Sequence, residues 1–130
     1  MFGEFQQSRL RIELDAPEAA IRDHLIRSEK LQQWLWPQQF VSTLPAQLEV
    51  GTTFNTQLGP ISIDHCVAQL DDQHLRLILS HSIDGFHDWY WGDGWVQSCL
   101  EGVSLLPIGL GHSLSLMQLR RALAQSDKQN

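Results

Sequence analysis

Positive charge is scarce in this chain. Nine lysines and arginines face fifteen aspartates and glutamates, giving a formal net charge of -6, and Arg120–Arg121 is the only adjacent basic pair. Gripping a phosphate backbone takes clustered cations that displace counterions, so a nucleic-acid partner is not expected. Cysteine is equally sparse. Cys66 and Cys99 stand far apart, without CxxC spacing and without a histidine at finger spacing. That rules against a disulfide framework or a structural zinc site, and each thiol reads as a small buried hydrophobe. No apolar run reaches the ~18 residues of a membrane span. The longest, over 103–117, is broken by Pro107, two glycines, His112 and three serines. The opening Met1-Phe2-Gly3-Glu4-Phe5 lacks the basic flank and apolar stretch of a signal peptide, so the cytoplasm is the expected location. Repeats, low-complexity segments and linkers are missing too, and only the polar end, 125–130, reads as a tail.

What remains is the composition of one folded domain covering residues 1–130. Hydrophobic residues make up 42% and charged residues 18%, a balance that argues against disorder. A chain of this length can bury roughly two-thirds of its unfolded surface. Five tryptophans supply large rigid apolar area.

The pattern along the chain changes period twice. Leu10, Ile12 and Leu14 alternate with Arg9, Arg11 and Glu13, as in a half-buried strand over 4–14. Asp15-Ala16-Pro17-Glu18 then reads as a helix start, with Asp15 as cap and Pro17 in the first turn. Ser28-Glu29 opens a second short helix carrying Leu31, Trp34 and Leu35, which Pro37 ends. Strands are predicted over 40–43, 52–58, 61–70, 75–83, 86–91 and 95–100. Gly59-Pro60 and Asp71-Asp72-Gln73 supply tight polar connections, and Asp84-Gly85 and Asp93-Gly94 are hairpin signals because type I′ turns need positive φ. Short strands joined by short turns make an antiparallel meander.

The last segment returns to helical spacing over 104–126, with Ser104 as cap and Pro107 in the first turn. Leu105, Ile108, Leu116, Leu119 and Leu123 form one apolar sector; Leu106, Leu110, Leu114 and Met117 form a second. The first half is apolar almost all round, which predicts burial there. Gly109 and Gly111 should each cost about 1 kcal/mol relative to alanine. Either close approach by a strand or ligand, or loose first-turn geometry, would account for them. The whole reads as an α+β fold: one curved antiparallel sheet of about seven strands around a long C-terminal helix, with two short helices after the first strand.

This order resembles the START/Bet v 1-like (SRPBCC) superfamily, and within it the polyketide cyclase/dehydrase-like branch. The resemblance rests on Ala16-Pro17-Glu18 opening the first helix and Trp34-x-Trp36-Pro37 closing the second. Glu49-Val50-Gly51-Thr52-x-Phe54 opens the next strand, and the long leucine-rich helix ends the chain. It implies a helix-grip fold with a cavity between sheet and C-terminal helix. It also implies binding or carriage of a hydrophobic small molecule: a lipid, polyketide or isoprenoid-like compound. A cyclase or aromatase using the same cavity is the alternative, and a protein-interaction module a further one. The superfamily has no universal catalytic motif, so no catalytic residue carries over, and neither cofactor nor metal is implied.

Candidate ligand contacts follow from period two and the helical wheel. In Phe86-His87-Asp88-Trp89-Tyr90-Trp91, His87, Trp89 and Trp91 share one face, with Trp95 placed near Trp91 across the turn. Such aromatics either pack across strands, wall a pocket or face a partner. His65 and His81 fall in register with Ile61, Ile63, Val67 and with Leu75, Leu77, Leu79, and so point inward, as satisfied core histidines or as ligand-orienting groups. The six histidines show no HxH, HxxxH or HExxH spacing, and His81, Asp84, His87 and Asp88 read as turn residues, not metal ligands. The candidate ligand-binding set is Phe54, His65, His81, Trp89, Trp91, Leu110, Leu114 and Met117.

Overall fold

The computed structural model describes residues 3–35, 38–41 and 43–129, with side chains to 125. β1 (Glu4–Glu13) leads into α1 (Glu18–Ile26) and α2 (Ser28–Trp34). Then come β2 (Gln39–Phe40), β3 (Thr53–Leu58), β4 (Ile61–Leu70), β5 (His74–His81), β6 (Asp84–Gly92), β7 (Trp95–Ser104) and α3 (Ile108–Gln129). Among the described residues the strands form one seven-stranded antiparallel sheet in the order β1-β7-β6-β5-β4-β3-β2. Only β1 leaves the meander: it pairs along its full length with β7, so the first and last strands lie side by side. This is the α+β helix-grip architecture that the alternating pattern predicts. No helix among the described residues is long and apolar enough to cross a membrane.

Local chemistry departs from expectation at several ends. Asp15 does not cap α1. The N-cap residue is Pro17, which has no side-chain acceptor, and Asp93 Oδ1 in the β6–β7 turn accepts the Glu18 N–H at 2.7 Å instead. Asp93-Gly94 does form its hairpin, with Gly94 at φ +81°. Asp84-Gly85 does not. It is the first pair of β6, and Gly85 lies against Gly102 of β7, where an added Cβ would sit 1.9 Å from the Glu101 carbonyl oxygen. The preceding turn is Ser82-Ile83, entered through His81 at φ +74°. Ser104 ends β7 instead of starting the last helix. Its hydroxyl donates to the Ser82 carbonyl and accepts the Leu106 N–H. α3 therefore begins at Ile108, directly after Pro107. Trp36, Pro37 and Ser42 lie outside the described residues.

The core lies between the concave face of the sheet and the three helices. From α3 it takes Ile108, Leu116, Leu119 and Leu123, all at most 4% exposed. Burying each stabilises by about 1.5–3 kcal/mol. The second apolar sector turned out to face away: Leu110, Leu114 and Met117 are 75%, 49% and 61% exposed. Gly109 and Gly111 occupy the first turn of α3 with no crowding neighbour. On the convex face Arg76 binds Asp88 in a fork, at 2.8 Å to each oxygen, while His74 reaches the same carboxylate at 3.1 Å. Burial raises the Asp88 pKa and these bonds lower it; the bonds prevail and hold it below the ordinary carboxylate value. Cys66 and Cys99 are free thiols, and both are half-buried instead of buried. Their neighbours Val67 and Ser98 take the inward positions of the pleat.

Candidate ligand cavity

A cavity of about 140 Å³ remains between sheet and helices. β3 to β7 supply its floor and walls, including Phe54, Ile63, His65, Leu77, His87, Trp89 and Leu100. α1 and α2 add Leu25, Leu31 and Trp34, and α3 adds Ile108, Gly111, His112 and Ser115. That last row has i, i+3, i+4, i+7 spacing, one face of one helix. Among the described residues no Lys, Arg, Asp or Glu lines the cavity. Besides the indoles of Trp34 and Trp89, the polar side chains that line it are three imidazoles, one amide and one hydroxyl.

The imidazoles are held by an inward-facing network. His112 Nδ1 is 2.7 Å from Ser8 Oγ on β1, and His112 Nε2 is 2.9 Å from Ser98 Oγ on β7. His87 Nε2 is also 2.9 Å from Ser98 Oγ. Ser98 Oγ in turn lies 3.0 Å from the Asp88 carbonyl oxygen. A carbonyl only accepts, so the single hydroxyl proton of Ser98 goes there. Both Nε2 atoms must then carry protons and donate to Ser98. His112 Nδ1 accepts from Ser8, and His87 Nδ1 keeps a bare lone pair. Across the cavity His65 stacks on Phe54, with centroids 4.5 Å apart and planes 6° from parallel, and meets Thr56 Oγ1 at 2.9 Å through Nε2. His65 Nδ1 is buried without a partner.

Burial keeps all three rings neutral. Loss of solvent pushes His65 down to about 4, against the pull of Asp64, and pushes His112 to about 4. It takes His87 well below its ordinary value, with further repulsion from His112 and His65. At neutral pH the site is a largely apolar cavity with neutral donors and acceptors.

The predicted contact residues divide in two. Phe54, His65 and Trp89 come together on the cavity wall. Trp91 faces inward but is 0% exposed and packs in the core beside the cavity. His81 turns outward: its left-handed φ breaks the alternation that would bring it in beside Leu79, and its ring pairs with Asp64 Oδ2 at 2.5 Å on the surface. Leu110, Leu114 and Met117 miss the cavity because α3 presents the opposite face. Trp95 does not join Trp91. The register sets Trp91 opposite Val96, and Trp95 lies under the Arg11 guanidinium. The polar cavity residues outside the predicted set include His87, on the predicted inward face of its strand, and His112 and Ser115, which share a helix face with Gly111. The signal for the three on α3 is a polar and small row on an otherwise leucine-rich helix.

No family profile matches this chain, and no curated protein matches it in sequence. Solved structures do share its fold. CV1439 from Chromobacterium violaceum superposes with a TM-score of 0.70 at 20% identity, over 90% of this chain and 96% of that one. The Aha1 dimer from Colwellia psychrerythraea gives 0.67 at 15% identity, over 91% and 96%. DynU16, from the dynemicin biosynthetic locus, gives 0.70 at 13% identity over 92% of this chain, which spans about half the length of DynU16 (48%). Such identities establish a shared architecture, a curved sheet gripping a C-terminal helix, and nothing finer.

Proposed function

We propose that this protein belongs to the START/Bet v 1-like superfamily and binds, inside the cell, a small apolar molecule about the size of one aromatic ring. One observation carries the reading: the cavity beneath α3 is walled by apolar and aromatic side chains, with a few neutral polar groups and no formal charge. The likeness in fold to CV1439, the Aha1 dimer and DynU16 supports the superfamily, as do the landmark residues of the helices and of β3.

Size narrows the ligand. A cavity of about 150 Å³ holds one benzene ring, and this one measures about 140 Å³. A whole lipid, a polyketide chain or a long isoprenoid exceeds it, so the broader ligand expectation contracts to a single ring or a compact aliphatic. The same limit weighs against a cyclase, which must fold a long chain inside the protein. An interaction surface built on Trp89, Trp91 and Trp95 loses its first two members to the interior, where they are 4% and 0% exposed. A matched ligand would recover the packing that the cavity forgoes, on the order of 3 kcal/mol at ~24 cal/mol per Å³.

Titration of methyl-labelled protein with toluene tests this. Saturable shifts are expected at Leu75, Leu77, Leu79 and Leu100. Shifts confined to the exposed Leu110 and Leu114, or none that saturate, would refute the proposal.

A further inference from the structure

We infer, resting on the cavity-binding reading above, that the ligand is a neutral single-ring aromatic carrying one O–H or N–H donor, a phenol in its simplest form, and that His87 Nδ1 accepts that donor.

Ser98 Oγ touches three groups within 3.0 Å: the Asp88 carbonyl, His87 Nε2 and His112 Nε2. It has one proton and two lone pairs. The carbonyl takes the proton, so the two lone pairs receive Nε2–H from each histidine. This fixes the tautomer of both rings from one atom. His112 is then complete, since Ser8 donates to its Nδ1. His87 is not. It lies half-buried on the cavity wall, and the described contacts give its Nδ1 no donor. An acceptor left open on an apolar cavity wall is the group that a ligand donor would engage when the ligand takes the place of solvent there.

The surrounding side chains select the rest of the molecule. Trp89, 4.6 Å from His87 between ring centroids, and the stacked Phe54–His65 pair offer aromatic faces. With no cation on the wall among the described residues, a carboxylate or phosphate would be buried unpaired; with no carboxylate among them, so would an ammonium group. Charged ligands are thus rejected and a neutral donor is favoured.

The experiment compares toluene, phenol and benzoate on the wild-type protein and on His87→Phe at pH 7, alongside the ¹⁵N spectrum of the histidine rings. Wild-type protein is expected to bind toluene and phenol but not benzoate. In His87→Phe the ratio of phenol to toluene affinity should fall about tenfold or more, the effect of one hydrogen bond that only phenol makes. The ¹⁵N spectrum of wild-type protein needs no variant: His87 Nδ1 should be unprotonated and should shift with phenol but not with toluene. A protonated Nδ1, or toluene binding with phenol indifferent to His87, would overturn this inference and leave the cavity reading standing. Failure of toluene and phenol alike would remove the cavity reading, and this inference with it.

Discussion

His87 and His112 share a single hydroxyl: each brings its Nε2 to 2.9 Å from Ser98 Oγ, with the two rings 85° apart. One ring comes from a central strand and the other from the last helix, so Ser98 ties α3 to the sheet at the cavity. Ser98→Ala would leave two buried N–H donors without an acceptor. Since a stranded buried group costs ~1–3 kcal/mol, an overall loss of about 2–3 kcal/mol is expected in urea unfolding. A loss below ~0.5 kcal/mol, the level of an ordinary surface change, would mean that the network does not hold the helix.

Acid should weaken the fold through the same rings. His65 and His112 titrate near 4 in the folded protein against 6.5 ordinarily, and His87 lies well below its ordinary value as well. The unfolded chain therefore takes up protons first. The stability these neutral rings carry is fully present above about 6.5 and drains away as pH falls from about 6.5 towards 4. At 1.36 kcal/mol per pH unit, His65 and His112 set an upper bound of roughly 3 kcal/mol each. Unfolding midpoints measured across this window should decline steeply in wild-type protein and less steeply in His112→Gln. A flat profile would show that the rings are solvated.

The two apolar sectors of α3 should respond oppositely to mutation. Leu116 and Leu119 are 1% and 0% exposed, whereas Leu110 and Met117 are 75% and 61% exposed. Leu116→Ala or Leu119→Ala should cost about 2–5 kcal/mol. Leu110→Gln and Met117→Gln should stay within about 0.5 kcal/mol of wild type. Equal costs on both faces would place the helix in a different rotation.

Two glycines offer a contrast in backbone space. An alanine methyl at Gly85 would drive into the Glu101 carbonyl, 1.9 Å away, whereas Gly111 has nothing within 4 Å. Gly85→Ala should destabilise by about 1–3 kcal/mol or more through overpacking. Gly111→Ala should stabilise by up to about 1 kcal/mol, since alanine suits a helix better. Thermal unfolding of both variants checks the sign of each.

Most of the architecture was legible because period-two alternation and turn chemistry agree along the strands. Leu10 and Ile12, or Leu75, Leu77 and Leu79, announce both strand and inward face. The failures have local causes. His81 follows the alternating pattern, but its positive φ ends it, and nothing in Ser80-His81-Ser82 signals that. Asp84-Gly85 looks like a turn, yet the glycine serves close packing against Gly102. On α3 both sectors are apolar, so hydrophobicity alone could not choose the gripping face. The cavity row Ile108, Gly111, His112, Ser115 is less apolar than the leucine sectors, so hydrophobic patterning does not single it out. The Ser8–His112–Ser98–His87 chain draws on three strands and a helix, and only the tertiary pairing of β1 with β7 assembles it.

The claim that matters most is that a single ring enters beneath α3. A crystal structure of the protein soaked with iodobenzene tests it most directly, because the iodine can be located by anomalous scattering. One ring is expected between Trp89, Leu100 and His112, with Leu116 and Leu119 undisturbed. A cavity closed by its own side chains, or iodine found only against the exposed leucines of α3, would contradict it.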